Sequence, residues 1–367
     1  MQQTDPVEDI IQKMSPKKIA RIINDPVKTA KAVHLVYVTD TRTQGISRKR
    51  RGKKFRYFLE DTEVKDKEVL ERIRKLVIPP AWEDVWICAL ENGHLQVTGI
   101  DAKKRKQYRY HPAWVALRNH SKYYRMIQFA NALPQIRLQV EKDLAKKGLP
   151  QEKVLATVIS LMERTNIRVG NNIYEKLYGS FGLTTLKDKH INVKGSTIRF
   201  SFKGKKGVHH DIDLKNSKLA RTVQRCKEIP GKELFQYYDE DGKRQPIDSG
   251  MVNDYIREIS GADFTAKDFR TWAGTVNAFL ALKELGGAKT QTEKKKKVVE
   301  ALDKVAERLG NTRAVCKKYY VHPLIISLYE SDSLNDYYEQ LDKIEQNDNR
   351  TDLTKEEKII LSILEKG

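Results

Sequence analysis

The sequence predicts an α+β protein: a small, mostly antiparallel β-rich domain first, then a larger, mainly α-helical domain with a small three-stranded sheet. Three observations carry this reading. Between about residues 35 and 110 the chain runs in short stretches rich in β-branched and aromatic residues, HLVYVTD, KFRYFL, VWICAL and HLQVTGI, separated by Gly, Asp and Asn turn signals. Beyond about residue 120 apolar residues recur at helical spacing, with Val154, Val158, Leu161 and Met162 on one face. A β interlude of KHINV, TIRFSF and VHHDIDL, joined by KGS and KGKKG turns, interrupts those helices.

Taken in order, residues 5–34 read as short helical pieces, DPVEDIIQKM and SPKKIARII, each with a plausible cap and an early Pro. Among the strands sits one helix, KEVLERIRKLV, ending at Pro79-Pro80. Residues 120–144 are helical in pattern, but Pro134 lacks the N–H a helix interior needs, so an interruption is expected there and the linker is placed near 118–125. Further helices are expected at about 216–228, 249–259, 267–285, 292–309 and 312–330. Residues 331–367 read as a polar, partly exposed helical tail, giving domains 1–118 and 119–330 followed by that tail.

The 367 residues carry 69 Lys and Arg against 49 Asp and Glu, a formal charge of +20. Such an excess favours a polyanionic partner, because cations that neutralise phosphates release condensed counterions. The charge is also segregated: RKRRGKKFR at 48–56, KKRKQYR at 103–109 and KKKK at 294–297 are basic, while 330–348 is acidic. Cys88, Cys226 and Cys316 lie far apart with no CxxC pairing, which speaks against a zinc site or a disulfide framework and fits a reducing cytoplasm. No basic patch followed by an apolar run marks a secretory signal, and no stretch reaches the ~20 apolar residues of a membrane span.

Phosphate-cradling nucleotide loops are absent, since Gly204-Lys205 is followed by neither Ser nor Thr, and there is no HExxH or EF-hand pattern. His209 and His210, adjacent in a strand, point to opposite faces, which is poor metal geometry. The expectation is chemistry with no cofactor, no nucleotide and no metal. Phosphodiester chemistry of that kind needs a nucleophile, donors on the non-bridging oxygens and an acid for the leaving oxygen. Arginine suits the second task, because its fork matches two phosphate oxygens and keeps its proton. The C-terminal half supplies a full set in chain order: Arg168 in NIRVG, Lys205 in FKGKKGV, Arg270 in KDFRTWAGT, Asn311 in RLGNTR and Tyr320 in KKYYVHP. Near neighbours compete with several of them. Tyr319 adjoins Tyr320, Lys206 adjoins Lys205, Arg164 lies one turn before Arg168, and Asn311 is equally suited to cap a helix.

These blocks resemble the small type IB DNA topoisomerases of bacteria and poxviruses, whose catalytic fold is shared with tyrosine recombinases. The similarity covers most of the chain, including YVTDTRTQGISRKRRGKKFRYF, IPPAWEDVWIC, GHLQVTGIDAKKRKQYRYHPAW and FANALPQIR in the N-terminal half. The resemblance implies that Tyr320 attacks the scissile phosphate and holds the DNA 3′ end. Arg168 and Arg270 would bind the non-bridging oxygens, Asn311 would donate where relatives carry His or Asn, and Lys205 would protonate the leaving 5′ oxygen. It also favours Tyr320 over Tyr319, by the nine-residue step from Asn311, and Lys205 over Lys206.

In the N-terminal half, Tyr108 and Tyr110 share one face of a strand, and the resemblance places them, with Gln107, at double-stranded DNA. Arg48, Arg50, Arg51, Lys53 and Lys54 read as phosphate contacts. The implied protein is a monomeric clamp around duplex DNA, cytoplasmic and nucleoid-associated, relaxing supercoils of both signs. A site-specific recombinase is the rival enzyme. Recombinases carry His three residues before the second Arg, where this chain has Lys267. A non-catalytic DNA-binding protein is the rival of another class, and it would be expected to have lost part of the five-residue set.

Overall fold

The computed structural model describes residues 10, 14, 22, 25–40, 43–52, 54–102, 106–344, 349 and 351–366, with backbone alone at 119–123, 173 and 174. The helical pieces expected before residue 25 and Lys53 lie outside this description. The chain divides into two compact units, 1–125 and 126–367.

The first unit opens with α1 (Pro26–Lys31), capped by the Asp25 carboxylate. Its body is an antiparallel sheet in the order β3-β2-β1-β4-β5-β6. The strands are β1 (Gly45–Arg51), β2 (Lys54–Leu59), β3 (Thr62–Glu63), β4 (Glu83–Cys88), β5 (Leu95–Ile100) and β6 (Lys106–Tyr110). Helix α2 (Lys67–Lys75), capped by Asp66, brings Ile73 onto the sheet beside Ile46, Val85, Ile87 and Val97. Each such buried aliphatic contributes about 1.5–3 kcal/mol.

One expectation fails here, and one strand lies outside the sequence expectation. HLVYVTD is not a strand: it makes one parallel bridge, Val36 to Gly93, and otherwise follows an irregular path. Its Tyr37 is used in stacking on His94 at 4.3 Å, a tertiary contact that no local pattern announces. Conversely, GISRKRR is strand β1, paired with β2 from Ile46–Leu59 to Arg51–Lys54. Its charged side chains find local support, with Arg48 4.2 Å above the Phe55 ring and Lys49 4.9 Å above Phe58.

Helix α3 (Pro112–Ala145) carries the chain from the first unit into the second and runs through Pro134 without a break. An interior proline costs a helix ~3 kcal/mol. Burial of Phe129, Ala130, Leu133, Ile136 and Val140 around it more than offsets that cost.

In the second unit α4 (Gln151–Thr165) is buried along most of its length and ends in a left-handed residue, Asn166. The short α5 (Asn172–Tyr178) follows, then the antiparallel sheet β7-β8-β9: Ile191–Lys194, Thr197–Lys203 and His209–Lys215. Strand β8 alternates as the sequence pattern requires, with Ile198, Phe200 and Phe202 buried. Helices α6 (Ser217–Lys227), α7 (Ser249–Ser260), α8 (Ala266–Leu285) and α9 (Gln291–Leu309) follow the expected positions closely. A small hairpin, β10 (Gln236–Tyr238) and β11 (Arg244–Pro246), lies outside the sequence expectation.

The helix expected at 312–330 is instead two, α10 (Arg313–Tyr319) and α11 (Pro323–Glu330). Pro323 cannot donate back to residue 319, and the residue before a proline avoids helical backbone. His322, in extended conformation, caps the second helix through its ring. Tyr320 is left at the corner between them. Helix α12 (Asn335–Lys343) precedes the last helix, α13 (Lys355–Lys366), whose Ile359, Ile360, Ile363 and Leu364 are buried.

A buried ion pair fixes α13 in place. The Glu357 carboxylate accepts from Arg137 Nη1 and Nη2, each at 2.8 Å, and from the Trp272 indole at 2.9 Å, while Arg137 Nε donates to Glu163 at 2.8 Å. Arg137 belongs to α3, Trp272 to α8 and Glu163 to α4, so one cluster joins four helices. Among the described residues no helix is long and apolar enough to cross a membrane.

Candidate active site

The second unit gathers all five residues singled out in its sequence. Arg168 lies two residues beyond the left-handed Asn166, outside any helix or strand. Its backbone is held by Leu183, which donates to the Arg168 carbonyl at 2.9 Å. The fit needs glycine at 182, where a Cβ would lie 2.5 Å from that same carbonyl oxygen. The Arg168 side chain crosses to the end of α9, where Nη2 donates to the Gly310 carbonyl at 3.0 Å and to Asn311 Oδ1 at 2.6 Å.

Arg270, in the second turn of α8, is 5% exposed and donates to two backbone carbonyls, Asn166 and, at 2.7 Å, Leu309. These are the C-terminal carbonyls of α4 and α9, where a cation complements the helix dipole. Its guanidinium carbon stands 5.4 Å from the centre of the Tyr320 ring. Arg270 Nε and Asn311 Nδ2 are both buried, with no hydrogen-bond partner among the described residues. Buried donors in folded proteins are nearly always satisfied, so two orphans in one site mark a place prepared for an acceptor.

Tyr320 is positioned from α8 as well. Its carbonyl accepts from Thr275 Oγ1 at 3.2 Å, and that hydroxyl in turn accepts from the His322 N–H at 3.1 Å. A Cβ at Gly274 would lie 2.7 Å from the Tyr320 carbonyl oxygen and 2.9 Å from its Cβ. Arg270 and Gly274, at the i, i+4 spacing, share one face of α8, and Thr275, the next residue, adds its hydroxyl to the same Tyr320 carbonyl. In the motif RTWAGT, residue chemistry alone draws attention only to the arginine. A glycine inside a helix costs about 1 kcal/mol against alanine, and that cost is the sequence signal that it has a packing task.

The competitors Tyr319 and Arg164 are placed differently, and Lys206 stays beside Lys205. Tyr319 is 42% exposed at the end of α10, with the Lys318 ammonium 5.4 Å above its ring. Arg164 is exposed and donates to Ser160 one turn back. Lys205 and Lys206 share the tight turn after β8, where Lys206 takes a left-handed conformation with φ +61°. Lys205 is surface-exposed, yet the surrounding protein, and then the Arg168 charge, hold its ammonium below the ordinary lysine range, with Tyr320 opposing.

Burial, and then Arg270, pushes the Arg168 guanidinium down to about 10, which leaves it charged at neutral pH. Burial lowers Arg270 too, with Tyr320 opposing. The groups that act on these two arginines are Tyr320, Cys316 and, for Arg168, Arg270 itself; none is a carboxylate. Arg137, by contrast, is neutralised by Glu163 and Glu357. Buried cations are normally paired, so two buried arginines on which no carboxylate of the described residues acts are suited to hold an anion.

His210, on β9, is a site residue that the sequence pattern speaks against as a metal ligand and gives no other task. Its ring stacks on Phe202 at 5.0 Å and reaches Gly204 and Gly310. Burial, and then Arg168 and Arg270, push its pKa down to about 4.

In the first unit Tyr108 and Tyr110 are 48% and 39% exposed on one face of β6, their rings parallel within 8° at 6.1 Å. Gln107 lies on the opposite face and donates to Asp101 at 2.9 Å. Arg50, Arg51 and Lys54 are exposed around the β1–β2 turn. Arg48 differs: its guanidinium donates to the carbonyls of Ile78, Pro79 and Trp82, at 3.4, 3.1 and 2.7 Å, and so holds the loop that follows α2.

Residues 103–348 match the family described as "Eukaryotic DNA topoisomerase I, catalytic core", and 54–101 match "Bacterial DNA topoisomerase IB, N-terminal domain". The chain is 33% identical over 299 residues to DNA topoisomerase 1B of Acanthamoeba polyphaga mimivirus, covering 78% of this chain and 88% of that protein. It is 24% identical over 277 residues to DNA topoisomerase 1B of vaccinia virus strain Copenhagen, covering 73% and 83%. The monkeypox virus DNA topoisomerase I is 24% identical over 275 residues, covering 73% and 83%. With a catalytic-core match over most of its length and a relative of this identity and coverage, the chain belongs to the type IB DNA topoisomerases.

Proposed function

We propose that this protein relaxes supercoiled double-stranded DNA of either sign by transient cleavage of one strand, with neither ATP nor a metal ion. The observation that carries the reading is the pair of buried donors with no hydrogen-bond partner among the described residues, Arg270 Nε and Asn311 Nδ2, set beside Arg168 and Tyr320. A phosphodiester placed there accepts from both through its non-bridging oxygens. The charge that develops on those oxygens in a five-coordinate transition state is met by fixed cations.

The Tyr320 hydroxyl oxygen bonds to phosphorus and gives its proton to solvent. The bond from phosphorus to the 5′ oxygen breaks, and that oxygen takes a proton from the Lys205 ammonium. The 3′ end stays on Tyr320 as a phosphodiester, which conserves the energy of the broken bond. Religation is the reverse attack by the 5′ hydroxyl. The broken strand swivels about the intact one between the two steps. A lowered lysine pKa assists the proton transfer, since an acid works best near the operating pH.

In the first unit, the stacked faces of Tyr108 and Tyr110 and the cations Arg50, Arg51 and Lys54 are assigned to groove and phosphate contacts. Arg48 is assigned to the loop it holds.

The test is relaxation of negatively and positively supercoiled plasmids in EDTA without nucleotide. Relaxation of both is expected. Tight duplex binding without relaxation of either would replace this reading with that of a site-specific recombinase or a non-catalytic binding protein.

A further inference from the structure

His210 occupies the point where two parts of the site that are distant in the chain touch. Nδ1 apart, its ring edge meets Gly204 and Gly310. A Cβ on Gly204 would lie 2.6 Å from both Cδ2 and Nε2, and one on Gly310 would lie 2.5 Å from Cε1 and 3.0 Å from Nε2. Gly204 has φ −92°, an ordinary value for any residue, so what requires glycine there is the imidazole against it. Gly310 has φ +57° and would meet the ring as well.

Each glycine is the root of a site residue. Gly204 opens the turn that carries Lys205, closed by its own N–H on the Val208 carbonyl at 2.7 Å. Gly310 precedes Asn311 and lends its carbonyl to Arg168. Phe202, stacked on the ring within 21° of parallel, fixes the plane in which the imidazole meets the two. An uncharged ring is tolerated beside Arg168 and Arg270, where an imidazolium would repel both.

We propose that His210 is a positioning residue, a flat neutral wedge that sets the Lys205 turn against the Gly310–Asn311 corner so that the lysine meets the leaving oxygen. This rests on the reading of Lys205 as the acid. His210 itself exchanges no proton with the DNA. Its removal displaces Lys205 while leaving the nucleophile in place.

The experiment is single-turnover cleavage of a duplex with a mapped cleavage site, carrying oxygen or sulfur at the bridging 5′ position of the scissile phosphate. A thiol has a pKa of about 8.5, so a sulfur leaving group departs without a proton and needs no acid. Wild type, His210→Ala and Lys205→Ala are compared, with duplex affinity and melting temperature measured for each.

His210→Ala is expected to cleave the oxygen duplex on the order of 10²-fold more slowly, the lower range for a positioned general acid, at nearly unchanged duplex affinity. On the sulfur duplex it is expected to return to within a few-fold of wild type. Lys205→Ala is expected to show the same selective rescue. If His210→Ala is slow on both duplexes, or slow on neither, the positioning role is wrong. If instead Lys205→Ala is not rescued by sulfur, it is the assignment of Lys205 that fails. Should His210→Ala melt below the assay temperature, His210→Asn serves with the same criteria.

Discussion

Arg168 donates from Nη2 to Oδ1 of Asn311 at 2.6 Å, and this contact orients the amide. A guanidinium can only donate, so the amide must present its oxygen to it and leave Nδ2 as the atom facing elsewhere. That nitrogen is buried and has no hydrogen-bond partner among the described residues.

Asn311→Asp therefore keeps the acceptor for Arg168 but removes the donor and adds a negative charge beside the phosphate seat. Cleavage is expected to slow by 10²–10³-fold or more, the cost of losing one oxyanion donor. Single-turnover cleavage of a duplex oligonucleotide measures it. An Asp variant with wild-type rate would show that Nδ2 does not meet the phosphate.

Gly274→Ala separates activity from stability. The new Cβ would stand 2.7 Å from the Tyr320 carbonyl oxygen, while alanine in a helix interior gains about 1 kcal/mol over glycine. Unfolding free energy should change by less than about 2 kcal/mol, within the usual range for single substitutions. Cleavage should fall by ~10²-fold, because displacing a reacting group by about 1 Å costs that much. Chemical denaturation and cleavage kinetics on one preparation report both.

The α13 cluster is a stability element. Arg137→Met leaves the Glu357 carboxylate buried and without its cation, which is expected to cost about 3–5 kcal/mol. Burial raises the Glu357 pKa, but the hydrogen bonds and charge of Arg137 prevail and hold it below the usual glutamate value. A depressed carboxyl stabilises the fold above its unfolded pKa of about 4.3, and that contribution disappears as pH falls through the lower folded value. Urea titrations between pH 7 and 3 should show the difference between Glu357→Gln and wild type shrinking on the acid side. A constant difference would contradict the pairing.

Replacing Arg50, Arg51 and Lys54 with Gln is expected to flatten the slope of log affinity against log salt by about 0.9 for each phosphate that the protein no longer neutralises. Arg48→Gln should lower the melting temperature instead, because its guanidinium is engaged by the carbonyls of Ile78, Pro79 and Trp82. A triple variant with an unchanged slope would remove the β1–β2 turn from the DNA-binding surface.

Much of this architecture can be read from residue types, and the exceptions share a cause. Strand β8 is legible because Ile198, Phe200 and Phe202 alternate with polar neighbours. The candidate site is legible as a set of residue types, but residue type alone does not separate Tyr320 from Tyr319 or Lys205 from Lys206; only the resemblance does. Strand β1 is not legible, since GISRKRR carries little apolar signal and depends on Phe55, Phe58 and the Trp82 loop. Helix α3 passes Pro134 only because its neighbours are buried in the second unit. His210 escapes notice because its task is steric: the two glycines that admit its ring are far apart in the chain, at positions 204 and 310.

Trapping the protein on duplex DNA with denaturant and mapping the cross-linked peptide by mass spectrometry identifies the nucleophile of this site. A nucleotide joined through its 3′ phosphate to Tyr320 is expected, with no adduct from Tyr320→Phe although that variant still binds the duplex. A nucleotide on Tyr319, or an adduct that persists in Tyr320→Phe, would contradict the assignment to Tyr320.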